Sequence, residues 1–128
     1  MLALARAPLP PPQRVEPGAS EQDPEHWWQA VVGVLAELSA GLDGYRPRAL
    51  ALDGTSASLL LADAEGRPLG PALMYDDSRA RERLEAIDSV APPEAPVHSA
   101  SSSLAKLLHL LDACAPLPPG CRALHQAD

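Results

Sequence analysis

The sequence predicts an α/β domain in which helices pack on a sheet of few strands. Apolar residues at helical spacing follow Asp23, short apolar runs broken by turn residues come next, and two further helical patterns follow those runs. Fifteen prolines and eight glycines are too many for a purely helical bundle. A small mixed domain is therefore the expected fold.

Composition restricts the classes of function. The 128 residues, 46% of them hydrophobic, suffice for one small domain but for few complete two-domain enzymes. A net charge of −7 argues against nucleic-acid and membrane partners, because both are held first by Lys and Arg. Residues 1–7 lack the apolar core of a signal peptide, so we expect a cytoplasmic protein. Cys114, Cys121 and the scattered histidines have no zinc-ligand spacing, and no metal site is predicted.

Residues 1–20 are predicted to be a disordered, proline-rich tail, so that the domain occupies residues 21–128. The run Pro8–Pro12 favours an extended polyproline conformation, and no hydrophobic period surrounds it.

The first helix is predicted between Asp23, which suits the N-cap, and Gly41, which is placed to end it. Pro24 fits the first helical position. The apolar positions recur at helical spacing: Trp27, Trp28, Val31, Val34, Leu35 and Leu38. We interpret the two tryptophans as anchors that pack this helix on the sheet, with ligand stacking as the alternative.

Three strands are predicted next, at residues 49–52, 58–63 and 71–75, from short apolar runs bounded by turn residues. Two helices complete the domain, one over residues 78–88 capped by Ser78, and one over residues 104–113. The buried stripe of the last helix is predicted to be Leu104, Leu107, Leu108 and Leu111. Lys106, the only lysine, is expected to reach solvent.

Two polar clusters could carry chemistry. Residues 53–56, Asp-Gly-Thr-Ser, end a predicted strand and could present N–H groups and hydroxyls to a small polar ligand, although tight turns use the same residues. Asp76 and Asp77 precede a helix and could accept hydrogen bonds from sugar hydroxyls, although either could instead cap the helix. A metal would need a third ligand at regular spacing, which is not found. The sequence contains neither the phosphate-binding loop motif G-x-x-x-x-G-K-S/T nor the dinucleotide-binding motif G-x-G-x-x-G.

Three blocks occur in an order and at a spacing that are specific together. They are an acidic-x-Asp-Pro-x-x-Trp-Trp helix start at residues 21–28, the strand and turn at residues 49–56, and the block Pro-Ala-Leu-Met-Tyr-Asp-Asp-Ser-Arg-Ala at residues 71–80. With these blocks, residues 15–128 resemble the N-terminal domain of the FGGY family of carbohydrate kinases.

The resemblance implies a partial actin-like (ribonuclease H-like) sugar-kinase N-terminal domain with an incomplete sheet. It also implies ATP-dependent phosphoryl transfer to a sugar hydroxyl, with Mg²⁺ bridging the phosphates and an Asp as general base. The residues that correspond to the sugar-facing pocket are Gly54, Thr55, Ser56 and Ala57, together with Asp76 and Asp77.

The implied substrate is a ketopentose. Xylulokinases carry Gln-Met-His-Gly where this chain has residues 55–58, and Trp in place of Tyr75. The chain is more similar to the D-ribulokinase-like branch, so D-ribulose is expected first and D-xylulose second.

Parts of the family pattern have no counterpart here. The proline-rich tail stands where the family has its opening strand and phosphate-binding turn, and we find no position for the catalytic Asp or the nucleotide-binding domain. We therefore expect a kinase fragment that is inactive alone, binds neither ATP nor Mg²⁺ tightly, and pairs with the missing half. A stand-alone binding or regulatory module and a gene fragment without function are the alternatives.

Overall fold

Four short antiparallel strands and three α-helices occur within residues 3–126, the part of the chain that the computed structural model describes. The strands are β1 Glu21–Gln22, β2 Leu59–Ala62, β3 Ala72–Leu73 and β4 Arg122–His125. The helices are α1 Pro24–Ala40, α2 Leu84–Asp88 and α3 Ser103–Ala113, with a 3₁₀ helix, Arg79–Arg83, directly before α2. The predicted α/β class is confirmed.

The sheet is built around β2, and its strand order is β1–β3–β2–β4. Leu59 lies opposite Leu73 of β3, and on its other side β2 pairs with β4 from Leu59–His125 to Ala62–Arg122. All four residues of β2 are buried, as a continuous apolar run in a covered strand predicts. The predicted strands at residues 58–63 and 71–75 are therefore confirmed, with narrower bounds.

The core lies between the sheet and α3. Its main cluster consists of Leu59, Leu61, Leu73 and Leu110, and a second cluster of Ala80, Ile87 and Ala105 joins α3 to α2 and the 3₁₀ helix. The Ser102 hydroxyl caps α3 by accepting from the Ala105 N–H at 3.2 Å. The predicted helix is thus confirmed, but Leu104 is exposed and not buried as predicted.

The predicted limits of α1 are confirmed. The Asp23 carboxylate accepts from the Glu25 N–H at 2.9 Å, Pro24 begins the helix, and the Gly41 N–H closes its last turn on the Glu37 carbonyl at 3.2 Å. No helix within residues 3–126 is both long and apolar enough to cross a membrane.

The predicted packing of α1 on the sheet is wrong. No residue of α1 is buried, and Trp28 is 63% exposed. Trp27 is held by a polar contact, in which its Nε1 donates to Gln22 Oε1 at 2.8 Å. The helix follows the edge strand β1 after a single residue, so its apolar stripe lies beyond the sheet and no described element covers it.

The strand predicted at residues 49–52 is not formed. Leu50 and Leu52 are 67% and 62% exposed, and no strand within residues 3–126 pairs with this segment. Its apolar run has strand propensity, but a strand also needs a neighbour to bond its backbone groups.

The helix predicted over residues 78–88 forms as a 3₁₀ turn followed by α2. Ser78 does not cap it through its side chain. The Arg79 N–H instead donates to Asp77 Oδ1 at 3.2 Å, so the carboxylate performs the capping role.

Residues 13–20 are joined to the sheet by hydrogen bonds, and Ala19 and Ser20 are buried, whereas the sequence places the segment in a disordered tail. Gln13 and Glu21 exchange backbone hydrogen bonds of 2.7 and 3.0 Å, and the Met74 N–H donates to the Ser20 carbonyl at 2.8 Å. Gly18 has φ +84°, and a Cβ there would lie 3.1 Å from Ser78 Oγ, so glycine suits this close approach. These contacts place residues 13–20 with the folded unit.

Paired leucine substitutions test this core. We expect Leu61→Ala to lower the free energy of unfolding by about 2–5 kcal/mol, because it leaves a cavity in the main cluster. Leu52→Ala should change it by less than about 0.5 kcal/mol, because Leu52 is exposed. Urea unfolding of both variants measures the difference, and equal losses would contradict the exposed position of residues 49–52.

Candidate functional site

The structure brings the two predicted site segments together. Lys106 Nζ donates to the carbonyl oxygen of Ala57 at 2.8 Å, at the end of the first segment. It also donates to the carbonyl oxygens of Met74 at 2.7 Å and Tyr75 at 3.2 Å, directly before Asp76 and Asp77. The loop at residues 53–57 and the end of β3 are therefore joined through one ammonium group.

The prediction that Lys106 reaches solvent is wrong. Its side chain is fully buried and points from α3 to the place where the chain enters β2 and leaves β3. The buried face of α3 is formed by Ala105, Lys106 and Leu110. The missed signal is that Lys106 lies one turn before Leu110 and so shares its face.

Burial lowers the pKa of Lys106 to about 8, and the Asp77 and Asp76 carboxylates partly offset that effect. A lysine ammonium carries three donors and no acceptor. At neutral pH the protonated group therefore matches the three carbonyl oxygens that surround it.

The loop at residues 53–57 has the geometry of a turn. The Gly54 N–H donates to Asp53 Oδ1 at 2.8 Å, and the Thr55 N–H donates to Gln126 Oε1 at 2.9 Å. Ala57 has φ +62°, a left-handed conformation that costs a non-glycine residue roughly 1–2 kcal/mol. Gly54, Thr55 and Ser56 are exposed, so their polar groups are open to a ligand.

Asp77 is fully buried and already hydrogen-bonded at both oxygens. Asp77 Oδ2 accepts from the Ser20 N–H at 2.8 Å and from Arg79 Nη2 at 2.9 Å. Arg79 Nη1 also pairs with Glu21 at 2.7 Å. Burial works against the charge of Arg79, but Asp77 and Glu21 outweigh it and raise the pKa of that guanidinium. This arrangement matches the helix-capping interpretation of Asp77.

Asp76 is the more accessible carboxylate. One oxygen accepts from Arg14 Nη2 at 2.6 Å, while Oδ1 is buried, with no hydrogen bond of good geometry among the described residues. The Ser20 hydroxyl, and then Arg14, hold the pKa of Asp76 below its usual value. The carboxylate is therefore ionised at neutral pH.

The cavities lie elsewhere. A groove of about 410 Å³ runs along β1 and is lined by Gln13, Gln22 and Pro71 among others. A smaller cavity of about 170 Å³ lies between the sheet and α3, beside Arg79, His109 and Cys114. None of the six predicted sugar-facing residues lines either one. Gly54, Thr55 and Ser56 are exposed, whereas Asp77 is buried.

Comparison with known proteins decides the family. Residues 3–101 match the N-terminal domain of the FGGY family of carbohydrate kinases. The chain belongs to this family. The match includes residues that the sequence assigns to a tail, and it ends before Lys106.

The similar proteins are sugar kinases of greater length. The xylulose kinase of Escherichia coli K12 is 33% identical over 79 residues, which cover 62% of this chain and 16% of that protein. The crystal structure of a "xyloylose kinase" from Brucella ovis superposes with a TM-score of 0.76 at 24% identity, over 91% of this chain and 25% of its own. The Plasmodium falciparum glycerol kinase structure gives 0.67 at 16% identity, over 90% of this chain and 26% of its own. The chain thus spans about a sixth of its curated relative.

These similarities confirm the partial actin-like sugar-kinase domain that the sequence predicts. The solved neighbours are carbohydrate kinases, which supports the fold. The curated relatives place the chain near the xylulokinase branch of the FGGY family.

The family implies ATP and Mg²⁺ for the complete enzymes, but the described residues do not fit such a site. Within residues 3–126, no group of three or more His, Cys, Asp or Glu side chains is placed to hold a metal ion. Asp76 offers one oxygen without a hydrogen bond of good geometry, and Asp77 offers none. No step of phosphoryl transfer is therefore assigned to these residues.

The pKa of Lys106 has a measurable consequence. The folded-state pKa of about 8 lies below the ordinary lysine value of 10.5, so between these values the unfolded chain binds more protons. The contribution of Lys106 to the free energy of unfolding should therefore rise from pH 8 to pH 10.5. The ¹³Cε resonance of this sole lysine should titrate with a midpoint near 8, and a midpoint near 10.5 would contradict its burial.

Substitution of Arg79 tests the buried ion cluster. Arg79→Met leaves Asp77 and Glu21 without their cation, and we expect a loss of about 3–5 kcal/mol in the free energy of unfolding. Arg67 pairs with Asp63 and Glu65 at an exposed site, so Arg67→Met should lose less than about 1 kcal/mol. Urea unfolding measures both, and similar losses would show that Arg79 is not a structural centre.

Proposed function

We propose that this domain supplies part of the sugar-binding surface of an ATP-dependent ketopentose kinase. The observation that carries the proposal is the contact of Lys106 with both predicted sugar-facing segments. Gly54, Thr55, Ser56 and Ala57 on one side, and Asp76 and Asp77 on the other, would otherwise be separate loops. Family membership supports a small-molecule sugar as the ligand.

Exposed hydroxyls and a partly exposed carboxylate suit a sugar. The hydroxyls of Thr55 and Ser56 can each donate and accept, while the Asp76 carboxylate, which is 31% exposed and paired with Arg14, can accept only. A sugar carries several O–H groups in a row, and each can donate and accept a hydrogen bond. Two hydroxyls and a carboxylate can therefore pair with successive sugar hydroxyls. Asp77 is proposed to support this surface without contacting the sugar, because both of its oxygens already accept hydrogen bonds from the protein.

The substrate is proposed to be D-ribulose or D-xylulose. The Asp-Gly-Thr-Ser turn and Tyr75 favour D-ribulose. The similar curated proteins of Escherichia coli, Streptomyces rubiginosus and Lactococcus lactis are named xylulose kinases, which favours D-xylulose. Both ketopentoses are therefore compared directly in the test.

Phosphoryl transfer is proposed to need a nucleotide-binding domain and a catalytic base from other sequence. The support is the donor set of the described residues, which provides neither a metal site nor a free buried carboxylate. We therefore propose that the 128-residue chain alone is inactive and that it pairs with a polypeptide carrying those parts.

A second candidate is a stand-alone binding module. The exposed apolar residues of α1 favour it: Trp28, Val31, Val32 and Leu35. Such a module would bind its partner through α1, and it would leave the loop at residues 53–57 unaffected by sugars.

Sugar titrations monitored by NMR test the proposal. D-ribulose or D-xylulose should shift the amide resonances of Gly54, Thr55, Ser56 and Asp76, whereas D-glucose should not. A Thr55→Ala/Ser56→Ala double variant should lose these shifts, while Ser39→Ala on exposed α1 should keep them.

A coupled ATPase assay on the same chain completes this test. Ketopentose-stimulated ADP release by the chain alone would overturn its proposed inactivity. Shifts that are scattered over the domain, or that appear equally with D-glucose, would overturn the proposed sugar surface.

A further inference from the structure

The buried ammonium of Lys106 connects α3 with the segment before β2 and with the end of β3. Its three acceptors are Ala57, 49 residues before it, and Met74 and Tyr75, 32 and 31 residues before it. All three are backbone carbonyls, so the contact fixes the course of the main chain and does not depend on the side chains at those positions.

The loop that receives this contact is weakly held by its own hydrogen bonds. The Ser58 N–H donates to the Thr55 carbonyl at 3.4 Å, at the long limit for such a bond. Ala57 is in the left-handed region at φ +62°, which favours relaxation to another conformation. The contact of Lys106 with the Ala57 carbonyl therefore helps to keep the loop in place, together with the hydrogen bond of 2.9 Å from the Thr55 N–H to Gln126 Oε1.

The end of β3 is held at the same point. The Met74 carbonyl accepts both from Lys106 Nζ at 2.7 Å and from the Asp77 N–H at 2.9 Å, which closes the turn before the 3₁₀ helix. The same ammonium therefore fixes the turn that carries Asp76.

We propose that Lys106 is a positioning residue that clamps the loop at residues 55–57 to the Tyr75–Asp77 turn and so presets the sugar-facing surface. The clamp itself follows from the contacts, and its effect on sugar binding rests on the proposed function. Lys106 touches no ligand and acts only through the backbone groups that it holds.

The chemistry of the acceptors favours lysine at this position. A compact ammonium can direct its three protons to three converging carbonyls, whereas a guanidinium has a planar fork of larger size. Methionine fills a similar volume but offers no donor. We therefore expect Lys106→Arg to keep the positive charge but not the three converging hydrogen bonds. We expect Lys106→Met to lose both the charge and the hydrogen bonds.

The charges around the clamp make it sensitive to pH. Asp77 and Asp76 favour the protonated form, while burial disfavours it. On the 3₁₀ helix, Arg79 is bound to Asp77, and on α3 itself His109 lies 3.9 Å from Glu82. The loop at residues 53–57 offers the Ala57 carbonyl, and the titratable side chain of this loop, Asp53, is exposed. Deprotonation of Lys106 removes one donor and the positive charge.

Carbonyl ¹³C shifts and amide exchange of the whole chain test the clamp. The carbonyls of Ala57, Met74 and Tyr75 should titrate together with the Lys106 ¹³Cε resonance, and this measurement needs no variant. Separate midpoints would overturn the proposal.

In Lys106→Met, amide exchange at Ser58 and Asp77 should accelerate at least about 10-fold, while the amides of Leu60 and Leu61 in β2 keep their protection. Lys106→Arg should accelerate the exchange of these two amides less than Lys106→Met does, because it keeps the positive charge. Arg81→Met, which removes the same charge from an exposed site, should leave it unchanged. Exchange that rises equally in the loop and in β2 would show a general loss of stability and would overturn a specific clamp.

Ketopentose titration of the same variants separates the clamp from the proposed function. Weaker binding by Lys106→Met than by Arg81→Met supports both. If the wild-type chain binds no ketopentose while the three carbonyls titrate together, the proposed function fails and the clamp stands. If Lys106→Met loses loop protection but binds the sugar as the wild type does, presetting of the sugar surface is overturned.

Discussion

The buried carboxylate of Asp77 is the constraint on which much of this structure depends. A fully buried charge must be paired and hydrogen-bonded, and Asp77 meets that requirement with Ser20 from before β1 and with Arg79 at the start of the 3₁₀ helix. Arg79 then extends the pairing to Glu21 in β1. Edge strand, central sheet and helical layer are thus tied at one point, although β1 and β3 each have only two residues.

The same carboxylate helps to keep a second ion inside the domain. Burial alone disfavours the ammonium of Lys106, and Asp77 is the leading influence that favours it. Lys106 in turn supplies donors to carbonyls at the ends of two loops. The polar interior is therefore one connected network, in which loss of Asp77 would weaken the Lys106 contacts without touching them directly.

Local signals predict local structure well in this chain, and they fail where distant neighbours decide. Asp23 and Gly41 mark the two ends of α1 as the sequence predicts, because helix capping depends on residues within one turn. The same helix has no buried residue. An apolar stripe favours burial, but it does not show that another element is present to cover it. The prediction that Lys106 reaches solvent fails for a related reason, because its hydrogen-bond partners lie on other elements.

The site shows why positioning and enclosure are separate requirements for recognition. The network presets two loops, yet Gly54, Thr55 and Ser56 remain exposed and line neither of the two cavities described above. An enclosed pocket buries most of the surface of a small ligand, whereas an open surface leaves one side of the sugar in contact with water. A rigid open surface can therefore select a sugar by its hydroxyl pattern, but tight binding requires a second surface that excludes water around it.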